Sequence, residues 1–369
     1  MQLSGIANVV WRVAVCALLG TSIAQAAVLP EDRADALYHM YDGGGVKITG
    51  PALLLRKGIG NNTSVSASYY VDSISGASID VVTTASPYKE KRTEYGVGVD
   101  YLHRNTTMQL SYTTSEERDY LADTVNLGVA QELYGGQSTL SLGYSRGRDV
   151  VGRADTDFEA DLNRHQYRLG WSQIMSKSLV LSLDYESIAE SGFLNNPYRA
   201  ARILGASVPE RYPGARTSNA VALRAIKGFA AGDKLESSLR LDYRYFWDTW
   251  DVRAHTISAA FQSYFNTHWL AEVHYRFYAQ DRASFYSDNF TVEFNYMARD
   301  KELSTFTSHT VGAKATYRLS SDPLATNKST LNVAYDLIKF NYDDFTDVRT
   351  GNLYGFTAHV LQLYVSLWY

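Results

Sequence analysis

The sequence predicts an all-β protein, a transmembrane antiparallel up-and-down β-barrel with 16 strands, 14 strands as the alternative count, and no plug domain. Three observations lead to this prediction. Alternating apolar and polar segments recur along the chain, short and long connections alternate between them, and the chain ends on a long alternating strand. This is the pattern of a membrane barrel, in which apolar side chains face lipid and polar side chains face the lumen.

The C-terminal strand alternates along its whole length. The two faces of this strand are Leu361, Leu363, Val365, Leu367 and Tyr369 on one side, and Gln362, Tyr364 and Ser366 on the other. A long alternating strand that ends on an aromatic residue resembles the closing strand of a Gram-negative outer-membrane barrel. The resemblance implies recognition by the barrel-assembly machinery, with Leu367 and Tyr369 as the assembly signal. We expect Tyr369 to lie in the inner aromatic girdle.

The internal strands follow the same two-residue period. In 234–247, for example, Leu239, Leu241 and Tyr243 oppose Arg240 and Asp242, which is a strand pattern and not a helical one. Fifteen such segments start from Val46 onward. If 60–62 is a periplasmic turn, one further strand must precede them, and 36–41 is the candidate. No internal repeat beyond this strand rhythm is evident.

The connections differ in length from one end of the predicted barrel to the other. Short turns are predicted at 60–62, 104–106, 135–136, 176–177, 231–233 and 266–267, and longer polar loops at 75–93, 149–160, 190–215, 280–302 and 343–354. Tight periplasmic turns and long outer loops are typical of outer-membrane barrels. Two connections depart from this pattern, a tight outer link at 248–249 and a longer periplasmic one at 320–327.

The first 26 residues resemble a cleaved secretory signal peptide. Arg12 precedes an apolar core that is too short to span a bilayer, and Ala24-Gln25-Ala26 fits a cleavage site. We therefore expect a signal peptide at 1–26, a single barrel domain at 27–369 and a location in the outer membrane. Cys16 is the only cysteine, so the mature chain is expected to have no disulfide or thiolate site.

Composition excludes several classes of function. The formal net charge is −4, so nucleic acid is not expected as a partner. The 28 tyrosines suit aromatic girdles at the membrane interfaces. The eight histidines are scattered and form no metal-binding motif, so no cofactor and no metal are expected. The acidic group in 343–347 leaves open divalent-ion binding, although a solvated loop is the simpler interpretation.

Enzymatic activity has little support in the sequence. Gly143-Tyr144-Ser145-Arg146-Gly147 matches the letters of a nucleophile elbow. That chemistry requires a turn from a strand into a helix, and no helical pattern follows this segment. We therefore interpret it as a glycine-rich strand end and predict that the protein is not an enzyme.

A set of charged residues opposes the apolar face of the strands. They are predicted to face the lumen, because an Arg or Lys at the lipid midplane costs about 2–4 kcal/mol. The set comprises Arg164, Arg168, Asp184, Glu186, Arg224, Glu236, Arg240, Asp242, Arg244, Glu272, Arg276, Lys314, Arg318 and Asp336. Two interpretations stay open: charge rings that tune solute selectivity, and a lattice of cross-strand ion pairs that braces the wall. The mixed signs favour bracing for most of the set.

The loop at 190–216 is shaped by prolines, since proline fixes φ and resists extension of a strand ladder. It is the candidate constriction, through Asn195, Asn196, Pro197, Tyr198, Arg199, Glu210 and Arg211. Its Asn-Pro-Tyr-Arg and Glu-Arg-Tyr-Pro pieces, with the glycines at 43–45 and Gly50-Pro51-Ala52, resemble an uncharacterised family of proteobacterial and Bacteroidetes outer-membrane proteins, catalogued as a domain of unknown function. The resemblance covers nearly the whole mature chain. It implies a β-barrel and supplies no substrate or catalytic residue.

Three functions follow from these expectations. The leading hypothesis is a porin-like channel or conduit for an unknown solute, because about 16 strands enclose an aqueous lumen. The second is a scaffold barrel that seats a small periplasmic or lipoprotein partner for transfer across the outer membrane. An outer-membrane enzyme is the third and weakest. Outer-membrane lipid and lipopolysaccharide are expected to surround the barrel in each case.

Overall fold

The computed structural model describes residues 28–76, 88–231, 234–319 and 328–369. The predicted signal peptide at 1–26 and the predicted connection at 320–327 lie outside the described residues, as does the centre of the loop predicted at 75–93. Within these ranges, no helix is long and apolar enough to cross a membrane.

The described residues form 18 strands and two single-turn 3-10 helices, at Tyr134–Gly136 and Lys301–Leu303. The strands are β1 (Arg33–Gly43), β2 (Val46–Ile59), β3 (Thr63–Gly76), β4 (Tyr88–His103), β5 (Thr106–Glu117), β6 (Tyr120–Leu133), β7 (Ser138–Gly152), β8 (Glu159–Ser176), β9 (Leu179–Gly192), β10 (Ala200–Ile203), β11 (Ala206–Pro209), β12 (Ala215–Ala231), β13 (Lys234–Asp248), β14 (Arg253–Tyr264), β15 (Trp269–Gln280), β16 (Phe306–Arg318), β17 (Lys328–Thr346) and β18 (Leu353–Trp368).

Sixteen of these strands close into one antiparallel barrel in which sequence neighbours are paired. The predicted count of 16 is confirmed. The remaining two, β10 and β11, form a separate hairpin within the connection between β9 and β12. The strand predicted at 36–41 is β1, which is longer than predicted and closes the barrel against β18 along its whole length.

Alternation along each strand separates an outer face from an interior face. The outer face exposes large apolar side chains such as Leu223, Leu241, Val273 and Val311. Such exposure is normal for a surface covered by lipid, and about ten residues of a tilted strand span the apolar core of a bilayer. Charged and hydroxyl side chains take the interior positions between them.

The two ends of the barrel differ as the sequence predicts. We call the end with the long connections the outer end, and the end with the tight turns the inner end. The strands extend further than predicted into several outer loops, since β7 reaches Gly152 and β17 reaches Thr346. The connections 193–214 and 281–305 are therefore the longest outer loops among the described residues.

Candidate functional site: the interior wall and the outer mouth

Ion pairs cover the interior face of β8, β9 and β12–β16, which we call the charged arc. Arg164 contacts Glu190 at 3.0 Å and Asp149 at 3.5 Å. Arg168 and Arg244 both contact Glu186, at 3.2 and 3.6 Å. Each pair joins side chains from different strands, so the pairs cross-link the wall.

The pairs continue across the next strands. Asp242 accepts from Arg224 and lies 3.3 Å from Arg240. The Arg318 guanidinium donates to the hydroxyl of Tyr264 at 2.7 Å. Arg276 and Lys314 lie over the rings of Tyr278 and Tyr364, at 5.8 and 5.4 Å. The remaining predicted residues also take interior positions by strand parity: Asp184, Glu236 and Glu272.

Part of the charged arc is accessible to solvent from within the barrel. The side chain of Arg168 is 59% exposed and that of Arg240 is 43% exposed. Because both residues point away from the lipid face, this exposed surface lies inside the barrel. The arc therefore borders an aqueous space.

A glycine lets two side chains meet across a strand that separates them. Gly312 on β16 lies between His274 on β15 and Asp336 on β17 in one row of the sheet. His274 Nε2 lies 2.8 Å from Asp336 Oδ1. A Cβ at position 312 would stand 1.9 Å from that oxygen and 2.2 Å from that nitrogen, so a larger residue would displace these two side chains.

The interior face of β17, β18 and β1–β3, which we call the packed arc, is covered by packed side chains and is not exposed to water. Its side chains form buried apolar clusters: Leu37, Tyr41, Val46, Ile48, Ala52, Tyr70, Ile74, Ile338, Ala358 and Val360. Its central polar group is His39, which is fully buried, contacts Asp72 at 2.8 Å and stacks on the ring of Tyr70. Asp72 therefore has its partner within the wall.

Two outer loops fold together at the mouth of the barrel. Main-chain bonds join Leu204 to Phe290 at 2.9 Å, and join Arg211 and Met297 in both directions. Residues of 281–305 then pack on the interior face of β17 and β18, where Tyr286 and Leu303 share a buried cluster with Tyr342 and Tyr354. We call this assembly of 193–214 and 281–305 the mouth cap.

A buried ionic joint fastens the two loops of the mouth cap. Arg199 contacts Asp300, and Glu210 accepts from the backbone of Arg299 at 2.6 Å and from the hydroxyl of Tyr212 at 2.9 Å. Burial, together with the nearby Asp300 carboxylate, raises the pKa of Glu210 to about 8. The carboxyl of Glu210 is therefore best accommodated in its protonated form.

The mouth cap is also tied to the opposite wall. The hydroxyl of Tyr198 donates to Asp119 in the turn between β5 and β6. Asp119, Glu90 and Glu117 place carboxylate oxygens within 4.8 Å of one another. Arg92 lies 4.0 Å from Glu117 and provides positive charge beside this group.

The predicted constriction residues lie in the mouth cap, and their role as a constriction stays a prediction. Asn196, Arg199 and Glu210 are buried, whereas Arg211 is exposed and contacts Glu293 at 2.7 Å.

The predicted loop at 280–302 is the connection between β15 and β16. Phe285, Tyr286 and Phe290 are buried or partly buried in the mouth cap, whereas Phe294 and Tyr296 are exposed. The aromatic content of this segment, five Phe and Tyr residues in 281–305, is the signal that could have identified it.

The C-terminus closes the seam of the barrel at its inner end. The ring of Tyr369 lies 4.8 Å from the ammonium of Lys57, and its hydroxyl donates to the carbonyl of Arg56 at 3.2 Å. Leu363 and Leu367 are exposed on the outer face. The assembly role of Leu367 and Tyr369 stays a prediction.

A family model covers most of this wall. Residues 79–339 match the family described as "Protein of unknown function (DUF3570)". The chain belongs to this family. The match omits β1, β2, β3 and β18, so the seam lies outside the matched region. No curated protein matches the chain.

Solved structures share the barrel fold at low sequence identity. A bacterial polysaccharide outer membrane secretin has 8% identity and a TM-score of 0.51, with 91% of this chain and 98% of that chain covered. A Pseudomonas aeruginosa FadL homologue has 9% identity and a TM-score of 0.44, with 92% and 91% covered. The outer membrane protein opdK from Pseudomonas aeruginosa has 10% identity and a TM-score of 0.45, with 92% and 99% covered. The first of these likenesses identifies the fold of an outer-membrane β-barrel.

Proposed function

We propose that this protein is a conduit for small hydrophilic solutes across the outer membrane, with its water path along the charged arc. The observation that carries the proposal is the contrast between the two arcs. Arg168 and Arg240 are partly exposed inside the barrel, whereas Ile48 and Ala358 of the packed arc are completely buried. Barrels of about 16 strands are wide enough to enclose an aqueous channel.

The composition of the charged arc favours polar solutes in general over ions of one charge sign. Both signs alternate along the arc, and most charges are paired. Paired charges brace the wall and offer hydrogen-bonding groups to a passing solute, but they produce little net field. We therefore expect weak ion selectivity, carried mainly by the exposed faces of Arg168 and Arg240.

The mouth cap is the proposed control point of this conduit. Two loops that bond to each other, to β17 and β18, and to the turn at Asp119 restrict the outer entrance. Because Arg199 and Glu210 fasten both loops, loss of this joint should widen the entrance without changing the wall.

Conductance in planar bilayers tests the proposal. The wild-type chain is compared with Arg199→Gln and with a variant in which a short glycine linker replaces residues 198–211. We expect a small conductance in the wild type and a severalfold larger one in both variants. The control is Lys57→Gln, whose exposed pair with Asp32 lies at the inner end of the barrel, away from the mouth cap, and which should leave conductance unchanged. Absence of current from heat-modifiable, folded wild type and loop variant alike would refute the conduit.

The scaffold hypothesis makes a different prediction for the same preparations. A small protein seated in the lumen should copurify with the wild-type barrel in mild detergent and block the current of the loop-shortened variant. A barrel that is recovered alone and conducts supports the conduit. A stoichiometric small partner together with a silent channel would support the scaffold instead.

A further inference from the structure

The outer face carries a repeat that the strand rhythm conceals. Eight hairpins turn at the outer end, and each has a tyrosine on the strand that runs toward that end. Two residues further toward the outer end, the position on the same strand pairs with a polar residue of the returning strand. The pairs are Tyr38 and Thr49, Tyr69 and Thr93, Tyr112 and Asp123, Tyr144 and His165, Tyr185 and Asn219, Tyr243 and His255, Tyr275 and His309, and Tyr335 and His359.

These tyrosines form a closed belt at one level of the barrel. The row that crosses the wall from Tyr275 passes Val311 and reaches Leu337, two residues above Tyr335. Every hairpin repeats this two-residue step, and the last one returns to Tyr38 through Leu361 and Met40. Because this path closes on itself around the barrel, the eight tyrosines lie at about the same level along the barrel axis.

Below the belt the outer face is apolar, as at Val273 and Val333. Above it, aromatic side chains such as Trp247 and Phe277 lie together with charged ones such as Arg148 and Lys339, so the belt marks the outer membrane interface.

Six of the eight tyrosine hydroxyls bond to the polar residue. Four of these partners are histidines, with distances of 2.9, 2.9, 2.8 and 2.6 Å from the tyrosine oxygen to Nδ1. In a neutral ring that accepts at Nδ1, the proton is on Nε2. In that tautomer, each histidine keeps an N–H donor on the side of the ring away from its tyrosine.

Three cationic or hydrogen-bond-donating side chains, His309, Lys339 and His359, lie together on β16, β17 and β18. Lys339 lies directly opposite His309 and one row above His359, and all three are exposed on the outer face. Lys339 has no ion-pair partner among the described residues. The nearest acidic neighbour in the register is Asp42, opposite His359, and Asp42 itself lies opposite Lys47. An exposed ammonium flanked by two N–H donors suits a phosphate.

A depression in the lipid-facing surface lies below this cluster. On β16, below His309, the outer face carries the small residues Ala313 and Ala315. Ala315 lines a shallow apolar concavity of about 340 Å³ together with Trp269, Tyr317, Leu331 and Val333. The concavity lies at the inner end, because Trp269 is the first residue of β15. The apolar outer face between it and the cluster, at Val311, Ala313 and Leu337, is the part that would contact acyl chains.

We propose that this surface, formed by His309, Lys339 and His359 with the apolar outer face directly below them, binds a phosphorylated glycolipid of the outer leaflet, the lipid part of lipopolysaccharide. The similar cluster at Tyr144 and His165 is a poorer site, because Arg148 lies directly opposite Asp123. The site lies on the lipid face and does not depend on the function of the lumen.

Binding of the phosphorylated and dephosphorylated lipid portion of lipopolysaccharide to the full barrel in detergent tests this site. Lys339→Gln should weaken binding of the phosphorylated lipid about fivefold, and His309→Asn with His359→Asn should weaken it further. The matched control is Lys91→Gln. Lys91 is exposed in the same row, above the Tyr69 and Thr93 pair, where no histidine is present.

The proposal is supported if Lys91→Gln changes affinity less than twofold and if the dephosphorylated lipid binds wild type and Lys339→Gln equally weakly. Equal losses from Lys91→Gln and Lys339→Gln would overturn it, since they would indicate general surface attraction. Phosphatidylglycerol that binds as tightly, with the same dependence on Lys339, would also overturn it by showing a site for any anionic lipid.

Discussion

The inner face of the charged arc keeps Arg168 and Arg240 partly exposed to water, whereas the inner face of the packed arc buries Leu37, Ile48 and Val360. Both arcs belong to one continuous, closed β-sheet with the same antiparallel pattern of main-chain hydrogen bonds. Their difference therefore comes from the side chains of the wall and from the mouth cap, which covers part of the interior face of β17 and β18. The packed arc stabilises the wall by apolar burial and the charged arc by cross-strand pairs, which leaves only the second free to contact solute.

The largest expected effect comes from a charge placed in the packed arc. Ile48→Asp would bury an unpaired carboxylate at a fully buried position, at a cost of about 3 kcal/mol or more. We expect loss of the heat-modifiable, folded band on gels. Ser238→Asp, on the half-buried interior of the charged arc, is the control and should fold. Equal folding of both variants would remove the distinction between the arcs.

The seam between β18 and β1 belongs to the packed arc and should be the next most sensitive region. Deletion of Trp368 and Tyr369 removes the contacts with Lys57 and Arg56 and the last registered pair with Arg33. We expect a severalfold smaller folded fraction in membranes. Tyr369→Phe keeps the ring and should assemble nearly normally. Full assembly of the deleted chain would show that the seam closes without its terminal residues.

A smaller effect is expected where the two arcs meet at Gly312. Gly312→Ala would drive a Cβ into the pair of His274 and Asp336 and should lower unfolding stability by about 2 kcal/mol. Gly128→Ala is the control, because its Cβ would meet only Gln109, at an ordinary 3.5 Å. Urea titration of both variants measures the difference, and equal stability would contradict the role of Gly312.

The smallest effect concerns the mouth cap. The folded pKa of Glu210, about 8, is above its ordinary value. Its contribution to stability is therefore fully present below the ordinary pKa near 4.5 and is lost as pH rises through 8. The rate of proteolytic cleavage within 193–214 is measured for the wild type and for Glu210→Gln at each pH. The ratio of the two rates should increase about tenfold between pH 6 and pH 9. A ratio that does not change with pH would refute this linkage.

The wall could be predicted from the sequence, because a strand with one lipid face must alternate in polarity. That rule located β13 and β18 directly and inferred β1 from parity. The mouth cap could not be predicted in this way, since Arg199 and Asp300 are far apart in sequence and belong to loops without a period. The role of Gly312 and the tyrosine belt also required the register, which places His274 beside Asp336 and Tyr275 beside His309.

Single-cysteine accessibility tests the contrast between the arcs most directly. Cys16 is the only cysteine, so Ser182→Cys and Ala358→Cys in a Cys16→Ser background each report one interior site. Ser182 lies on the charged arc and Ala358 on the packed arc, where it is completely buried. A membrane-impermeant thiol reagent should label position 182 at least about tenfold faster than position 358. Equal rates, or faster labelling at 358, would contradict a water path along the charged arc.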